Sequence, residues 1–302
     1  MHVAITGATG LIGTALYNAF VMRGDSVSVI TRNTDQASRI FSNALMAVSW
    51  DNRDELVRCL DSADVVVNLA GASLAGGLWT RSYKEKILSS RIKSTRSLVN
   101  AISETDKKER RLISASATGY YDQKSSVPLD ESSPRGQGFL SDVCEAWEKE
   151  AFLADTSRAQ PVILRIGVVL DAKKGALPKM ILPFRFFAGG YTGSGEQWLS
   201  WIHIEDLTSV FLFLSGLKGA SGVYNAVAPL PVSMKEFSKT AGSILKRPGW
   251  LNIPEPVLNT VLGEAAVMVT EGAQILPVRL TEAGYRFKFE DLKSALSDLL
   301  YR

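Results

Sequence analysis

The sequence predicts an α/β fold, a doubly wound parallel sheet with a smaller C-terminal α+β cap on its substrate side. Three observations predict it. A short apolar run, His2 to Thr6, breaks into glycines at 7, 10 and 13 and then into a helical run, Leu11 to Met22. Apolar runs recur at Ser26–Ile30, Met46–Trp50, Asp64–Asn68, Arg111–Ala117 and Pro161–Leu170, that at Asp64–Asn68 β-branched on both faces, with helix-patterned stretches between them. That alternation builds a parallel sheet covered on both faces. Beyond Leu170, Pro178, Pro183 and Gly189-Gly190 break the rhythm and mark a different region. The expected division is a Rossmann-type nucleotide-binding domain over 1–170, rejoined by a segment at about 203–228, and mainly cap and C-terminal helical region over 171–302.

The first turn is the first expected ligand site. A helix start leaves backbone N–H groups unpaired, and its macrodipole adds partial positive charge there, so a phosphate is stabilised at that end. Gly7, Thr9, Gly10, Leu11, Ile12 and Gly13 are therefore candidate cofactor-binding residues. Their Gly-x-x-Gly-x-x-Gly spacing is a relative of the dinucleotide fingerprint, and the strand before it and the helix and strand after it separate it from a structural turn. Strand 2 ends in Thr31-Arg32, where dinucleotide folds face the adenosine ribose. An acid there would accept from a 2′-hydroxyl, whereas the Arg32 guanidinium can fork onto a 2′-phosphate, so NADP is favoured over NAD. A solvated surface arginine is the plainer alternative.

Strand 3 spans Met46 to Trp50, and Asp51 is read as the N-cap of a short helix through Leu60. Strand 4 ends in small residues, Leu69-Ala70-Gly71, which let the chain pass close to a cofactor, and the glycine-rich loop Ala72 to Leu78 follows where open α/β sheets bind ligands. The helix after it, about Tyr83 to Ser103, carries Lys84, Lys86, Arg91, Lys93 and Arg96, a series read as a solvated face. Strand 5, Arg111 to Tyr121, leads through a turn-like segment to a helix from Phe139 to Glu148. His203 is read as a packed structural residue rather than a base, and Glu205 and Asp206 as caps of the helix Leu207 to Gly216. Gly222–Ala228 reads as a further strand and Ser233–Leu245 as a helix with Glu236 at the capping-box position. The tail runs through Leu262–Ala266, Glu271–Leu280 and Gly284–Phe289 to a last helix.

Composition narrows the function classes. The 302 residues are 46% apolar and 22% charged with a net charge of +3, so an acidic nucleic acid or membrane surface is not an expected partner. Cys59 and Cys144 fall in helix-like stretches, which argues against a disulfide and for a reducing compartment, and the two histidines lie in separate motifs, so no metal centre is expected. No apolar run reaches the length of a membrane span, and a strand starting at residue 2 leaves no room for a retained signal peptide. The expected location is the cytoplasm, or the stroma or matrix of an organelle if a transit peptide was removed.

The Thr6-Gly-Ala-Thr-Gly-Leu-Ile-Gly13 form resembles the extended, epimerase-like branch of the short-chain dehydrogenase/reductase superfamily. Asn68-Leu-Ala-Gly71 is similar to its Asn-Ala-Gly element, and Ser114 to Tyr121 to its Ser-Ser-x-x-Val-Tyr-Gly segment. The resemblance implies that Ser116 positions the reacting oxygen, that Tyr120 and Tyr121 line the same pocket, and that Ser114, Gly167 and Val168 join the cofactor contacts. A strand end capped by small polar residues is the plainer reading of Ser116.

The resemblance implies chemistry by Tyr-x-x-x-Lys on the helix after strand 5, the tyrosine as general acid/base and the lysine one turn away lowering its pKa and holding the ribose. Tyr120-Tyr-Asp-Gln-Lys124 has that spacing, but the true helix begins after Pro134–Gly138, and there Leu140 and Cys144 stand at the expected Tyr and Lys positions. Trp79-Thr80, Ser90-Arg91, Trp147-Glu148, Gly193-Ser-Gly195, Trp201-Ile-His203 and Leu276-Pro-Val-Arg279 further resemble an atypical subgroup often labelled SulA-like cell-division inhibitor, which also tends to lack the pair. Two functions follow from the resemblance. One is an NADP-dependent epimerase or reductase acting on a small carbonyl or sugar-nucleotide-like molecule without the usual relay; the other is a non-catalytic NADP-binding sensor or regulator linked to cell or plastid division. A homodimer and a division-machinery partner are expected by resemblance only.

Overall fold

The computed structural model describes residues 1–106, 109–254, 260 and 263–301. The chain forms β1 (His2–Thr6), α1 (Leu11–Met22), β2 (Ser26–Thr31), α2 (Thr34–Ile40), β3 (Met46–Ser49), α3 (Arg53–Ser62), β4 (Val65–Asn68), α4 (Arg81–Ser103) and β5 (Arg110–Ala117). There follow a 3₁₀ turn (Thr118–Tyr120), α5 (Phe139–Phe152), β6 (Ala159–Ile166), β7 (Val168–Leu170), α6 (Leu177–Arg185), β8 (Gly190–Thr192), β9 (Trp198–Leu199) and β10 (Trp201–His203). The remainder is α7 (Ile204–Gly216), β11 (Gly222–Ala226), β12 (Val232–Ser233), α8 (Met234–Leu245), β13 (Leu251–Ile253), α9 (Val267–Thr270), α10 (Val278–Glu282) and α11 (Leu292–Tyr301).

Seven of these strands make one parallel sheet in the order β11-β6-β5-β4-β1-β2-β3. The direction of winding reverses between β1 and β4, which opens a crevice at their carboxyl ends. Every residue of β4 is buried, as a strand between two helical layers requires. One face packs Leu16, Phe20, Val210 and Phe211 from α1 and α7 against the sheet, and the other packs Leu56, Leu60, Leu98 and Ile102 from α3 and α4. A separate core gathers Leu170, Leu177, Phe184, Trp201, Phe237 and Leu296 from the C-terminal elements.

Several local expectations change. The expected strand 6 breaks at Gly167, where a Cβ would lie 2.5 Å from Ser200 O, and Val168–Leu170 leaves the sheet to pair with β10. Helix α3 is capped by Asn52 rather than Asp51, its side chain accepting from Glu55 N at 3.2 Å. Helix α2, absent from the sequence reading, is nucleated by Asn33, which accepts from Gln36 N at 2.9 Å. His203, not Asp206, caps α7 through Nδ1 and Glu205 N. Asp206 is instead buried and anchors the tail, accepting from Lys288 N at 2.8 Å and Phe289 N at 2.9 Å. Ser233 caps α8 as expected. Of the tail stretch Leu262–Ala266, Leu262 lies outside the described residues and Gly263–Ala266 forms a 3₁₀ turn.

The distinctive Leu276-Pro-Val-Arg279 segment has a structural task. β11 is an edge strand, and an uncovered edge invites pairing with another chain. Arg279 donates to Val223 O and to Ser221 O just before the strand, while Glu131 accepts from Asn225 N, so part of that edge is occupied.

Candidate functional site

The crevice is built from the exits of β1, β2 and β4. Gly7 adopts φ +69°, and a Cβ on it would lie 2.8 Å from Leu69 O, so only glycine makes this turn beside β4. A Cβ on Gly13 would lie 2.3 Å from Gly7 O, which lets α1 close onto the turn. At Gly10 a Cβ would meet only Gly7 O, at 3.3 Å, and the residue is exposed. Helix α1 has no side-chain cap and no acid in its first turn, so its N-terminal N–H groups face the crevice with about half a positive charge.

Thr6 ties the two strand ends together. Its hydroxyl donates to Asn68 Oδ1 at 3.0 Å and accepts from Leu69 N and Ala70 N at 3.0 and 3.2 Å. Asn68 in turn donates to Thr95 Oγ1 and Ser114 Oγ. Leu69 and Ala70 are thereby held half-buried, with Gly71 exposed at the crevice. Ser114 does not reach it: the residue is 1% exposed and its hydroxyl belongs to this internal network. Thr31 is half-buried and accepts from Asn33 N, while Arg32 is exposed, with no hydrogen bond or ion pair to its guanidinium among the described residues. Gly167 and Val168 spend their N–H groups on Ala226 O and Ser200 O.

Beyond β5 lies a cavity of about 1050 Å³, walled by Trp79, Gly119, Gln123, Arg135, Phe139 and Leu140 and closed on its far side by Glu264, Val267 and Glu271. Two ion pairs hold that far wall, Lys84–Glu264 at 2.6 Å and Lys124–Glu271 at 2.9 Å. Lys124 is thus an exposed rim residue after a 3₁₀ turn, not the lysine of a helical Tyr–Lys pair. Leu140 packs against Gly119 on the cavity wall, and Cys144 sits buried with its thiol toward Ala117 O, burial pushing it up to about 11.

The three hydroxyls expected to do chemistry are separated by a buried ion pair that the sequence reading missed. Glu148 accepts from Arg165 Nε at 2.9 Å and Nη2 at 2.8 Å, the side chains being only 6% and 4% exposed. Burial opposes the Arg165 charge, but Glu148 and the Tyr121 hydroxyl outweigh it and hold the guanidinium above its ordinary value. Ser116, 3% exposed, donates to Glu148 Oε1 at 2.6 Å. Tyr121, 1% exposed, donates to Asn225 Oδ1 at 2.7 Å and accepts from Arg165, and burial pushes its hydroxyl up to about 12. Tyr121 borders the cavity, but its hydroxyl is spent in the core on Asn225 and Arg165. Tyr120 alone keeps a hydroxyl without a protein partner among the described residues; it is half-buried, with the Arg165 guanidinium 3.3 Å from its ring centroid. The signal for the missed pair was an arginine inside the apolar run Val162-Ile-Leu-Arg-Ile166, which has to find a buried counter-charge.

The series on α4 is not uniformly solvated. Arg96 pairs with Glu150, and Lys84 with Glu264, while Arg91 turns inward, donating to Ala72 O and Ile87 O at 3.0 Å and stacking over Trp147 at 5.0 Å. Its spacing from buried Ile87 and Thr95, four residues each way, places it on the inner stripe of the helix. His203 is fully buried, stacked on Phe289 at 3.9 Å with Asp298 3.3 Å away, an acidic neighbour the sequence reading did not identify. Among the described residues no cluster of possible metal ligands occurs and no helix is long and apolar enough to cross a membrane. Both cysteines are free and buried.

The comparisons with known proteins agree along the chain. A model of the NAD dependent epimerase/dehydratase family matches residues 3–146, and one of a domain of unknown function, DUF1731, matches residues 253–299. The chain is 38% identical to the chloroplastic epimerase family protein SDR39U1 homolog of Arabidopsis thaliana, covering 99% of this chain and 87% of that protein. It is also 38% identical to epimerase family protein YfhF of Bacillus subtilis, over 99% and 98% of the two chains. A crystal structure of human epimerase family protein SDR39U1, isoform 2, with NADPH superposes with a TM-score of 0.90 at 33% identity, covering all of both chains.

Proposed function

The chain belongs to the NAD dependent epimerase/dehydratase family, and from that premise we propose that it binds NADPH in the β1/β4 crevice and uses it on a small carbonyl or sugar-nucleotide-like molecule held in the cavity beyond β5. The observation that carries the reading is the glycine turn. Gly7 and Gly13 are required by the protein's own backbone, whereas Gly10 leaves open the one face that a pyrophosphate needs. The residues fit the cofactor. Thr9 to Gly13 would hold the pyrophosphate against α1, Thr31 and Arg32 the 2′-phosphate, and Leu69 to Gly71 the inner end. The NADPH in the human relative supports this choice.

A bound nicotinamide supplies hydride exchange with a carbon atom. The chain's own residues must then exclude water and move one proton. Ser116 and Tyr121 are committed to the Glu148–Arg165 pair, so Tyr120, whose hydroxyl is unspent, is assigned the proton. A cavity of about 1050 Å³ accommodates a ligand as large as a nucleotide sugar. A second reading, a non-catalytic NADPH sensor or regulator, draws on the same commitment of Ser116 and on Leu140 and Cys144. Its division link rests on sequence resemblance alone.

Fluorescence titration with NADPH and NADH tests the cofactor claim. Arg32→Ala should weaken NADPH about tenfold or more, the worth of a charge-assisted hydrogen bond, and leave NADH nearly unchanged. Equal weakening of both would refute the 2′-phosphate assignment. NADPH oxidation is then screened across carbonyl and sugar-nucleotide classes; turnover that Tyr120→Phe lowers about 100-fold or more supports the enzyme, and tight binding without turnover in any class supports the sensor.

A further inference from the structure

Arg91 is an inward-turned cation with no carboxylate partner among the described residues. Its Nη1 is spent on Ala72 O and Ile87 O. Among the described residues neither Nε nor Nη2 has an acceptor, yet neither is sealed from solvent. Burial holds the guanidinium below its ordinary value, opposed only in part by Cys144 and Tyr83. An inward-turned arginine in this state costs free energy unless something else supplies acceptors.

Its position says what that something is. The side chain runs beneath Gly71, where a Cβ would come within 3.1 Å of Arg91 Cγ and 3.3 Å of Nη1. Gly71 is the last of the small residues lining the inner end of the crevice, and Cys144 occupies the α5 position at which the superfamily pattern carries its ribose-holding lysine. Trp147, one turn further along α5, supplies the ring on which the guanidinium rests. We propose that Arg91 replaces that lysine, delivering from α4 the cation that α5 lacks, and that its free Nε and Nη2 donors bind the ribose hydroxyls on the nicotinamide side of the cofactor. This rests on the NADPH reading above.

The test compares NADPH with adenosine 2′,5′-bisphosphate, which carries the adenosine half and lacks the nicotinamide ribose. Arg91→Gln should weaken NADPH roughly tenfold or more while leaving the bisphosphate within about twofold. Arg91→Lys, which keeps the charge but not the fork, should show an intermediate loss confined to NADPH, and it decides the matter if the Gln variant does not fold. NADPH affinity unchanged in the folded variants, or both ligands weakened alike, overturns the assignment. Wild-type protein that binds neither ligand overturns the NADPH reading instead.

Discussion

Removing the Glu148 carboxylate should be the most damaging single change in the sheet's carboxyl end. In Glu148→Ala the Arg165 guanidinium, 4% exposed, loses both hydrogen bonds to carboxylate and keeps only the Tyr121 hydroxyl as an acceptor. Ser116 loses its acceptor as well. Breaking a buried pair this way costs about 3–5 kcal/mol, a large share of the roughly 5–15 kcal/mol that separates folded from unfolded states in typical proteins. At about 2 °C per kcal/mol for a chain of this size, Tm falls by about 6–10 °C. Because the cost comes from the stranded cation, Glu148→Leu with Arg165→Met should recover most of it. Urea unfolding followed by circular dichroism measures all the variants. A loss below about 1 kcal/mol in Glu148→Ala, or a double variant no more stable than the single one, would refute the account of a compensated buried pair.

Two further outcomes follow from the same geometry. Lys124→Ala removes an exposed pair with Glu271 and should leave NADPH affinity unchanged, with a stability change within about 1 kcal/mol; a large affinity loss in titration would show that Tyr120–Lys124 is a working relay. Burial holds His203 below its ordinary value of 6.5, so the folded state binds its proton less readily than the unfolded one. Its neutral form contributes stability that is present above the unfolded pKa and lost as pH falls from there toward the lower folded value. Urea midpoints at pH 7.5 and 5.5 should drop more in the wild type than in His203→Gln; equal drops would assign the acid sensitivity to other groups.

Much of the fold was legible because its signals are local. The glycines at 7, 10 and 13 act within one turn, and the β-branched runs of β2 and β4 are contiguous, so periodicity and spacing expose them. The non-helical setting of Tyr120–Lys124 was legible for the same reason, since the residues that follow Tyr120 are turn-like. The inward face of α4 was written in the Ile87–Arg91–Thr95 spacing but obscured by the basic residues around it. The cap of α3 and helix α2 depended on which of two adjacent polar side chains reached the backbone, a difference of one residue that composition does not resolve.

By itself the sequence determined the parallel sheet, the glycine turn before α1, the basic residue after β2 and the Leu140 and Cys144 that stand on α5 in place of a Tyr–Lys pair, because each lies within one continuous segment. Only the tertiary structure decided which hydroxyls remain available for chemistry. Ser116, Glu148, Arg165 and Asn225 come from β5, α5, β6 and β11, and it is their meeting that commits Ser116 and Tyr121 and leaves Tyr120 free. The tertiary fold likewise turned Arg91 from one of several surface charges into a cation beside Cys144. Distance in space between residues far apart in sequence set both outcomes, and a linear pattern does not carry that quantity.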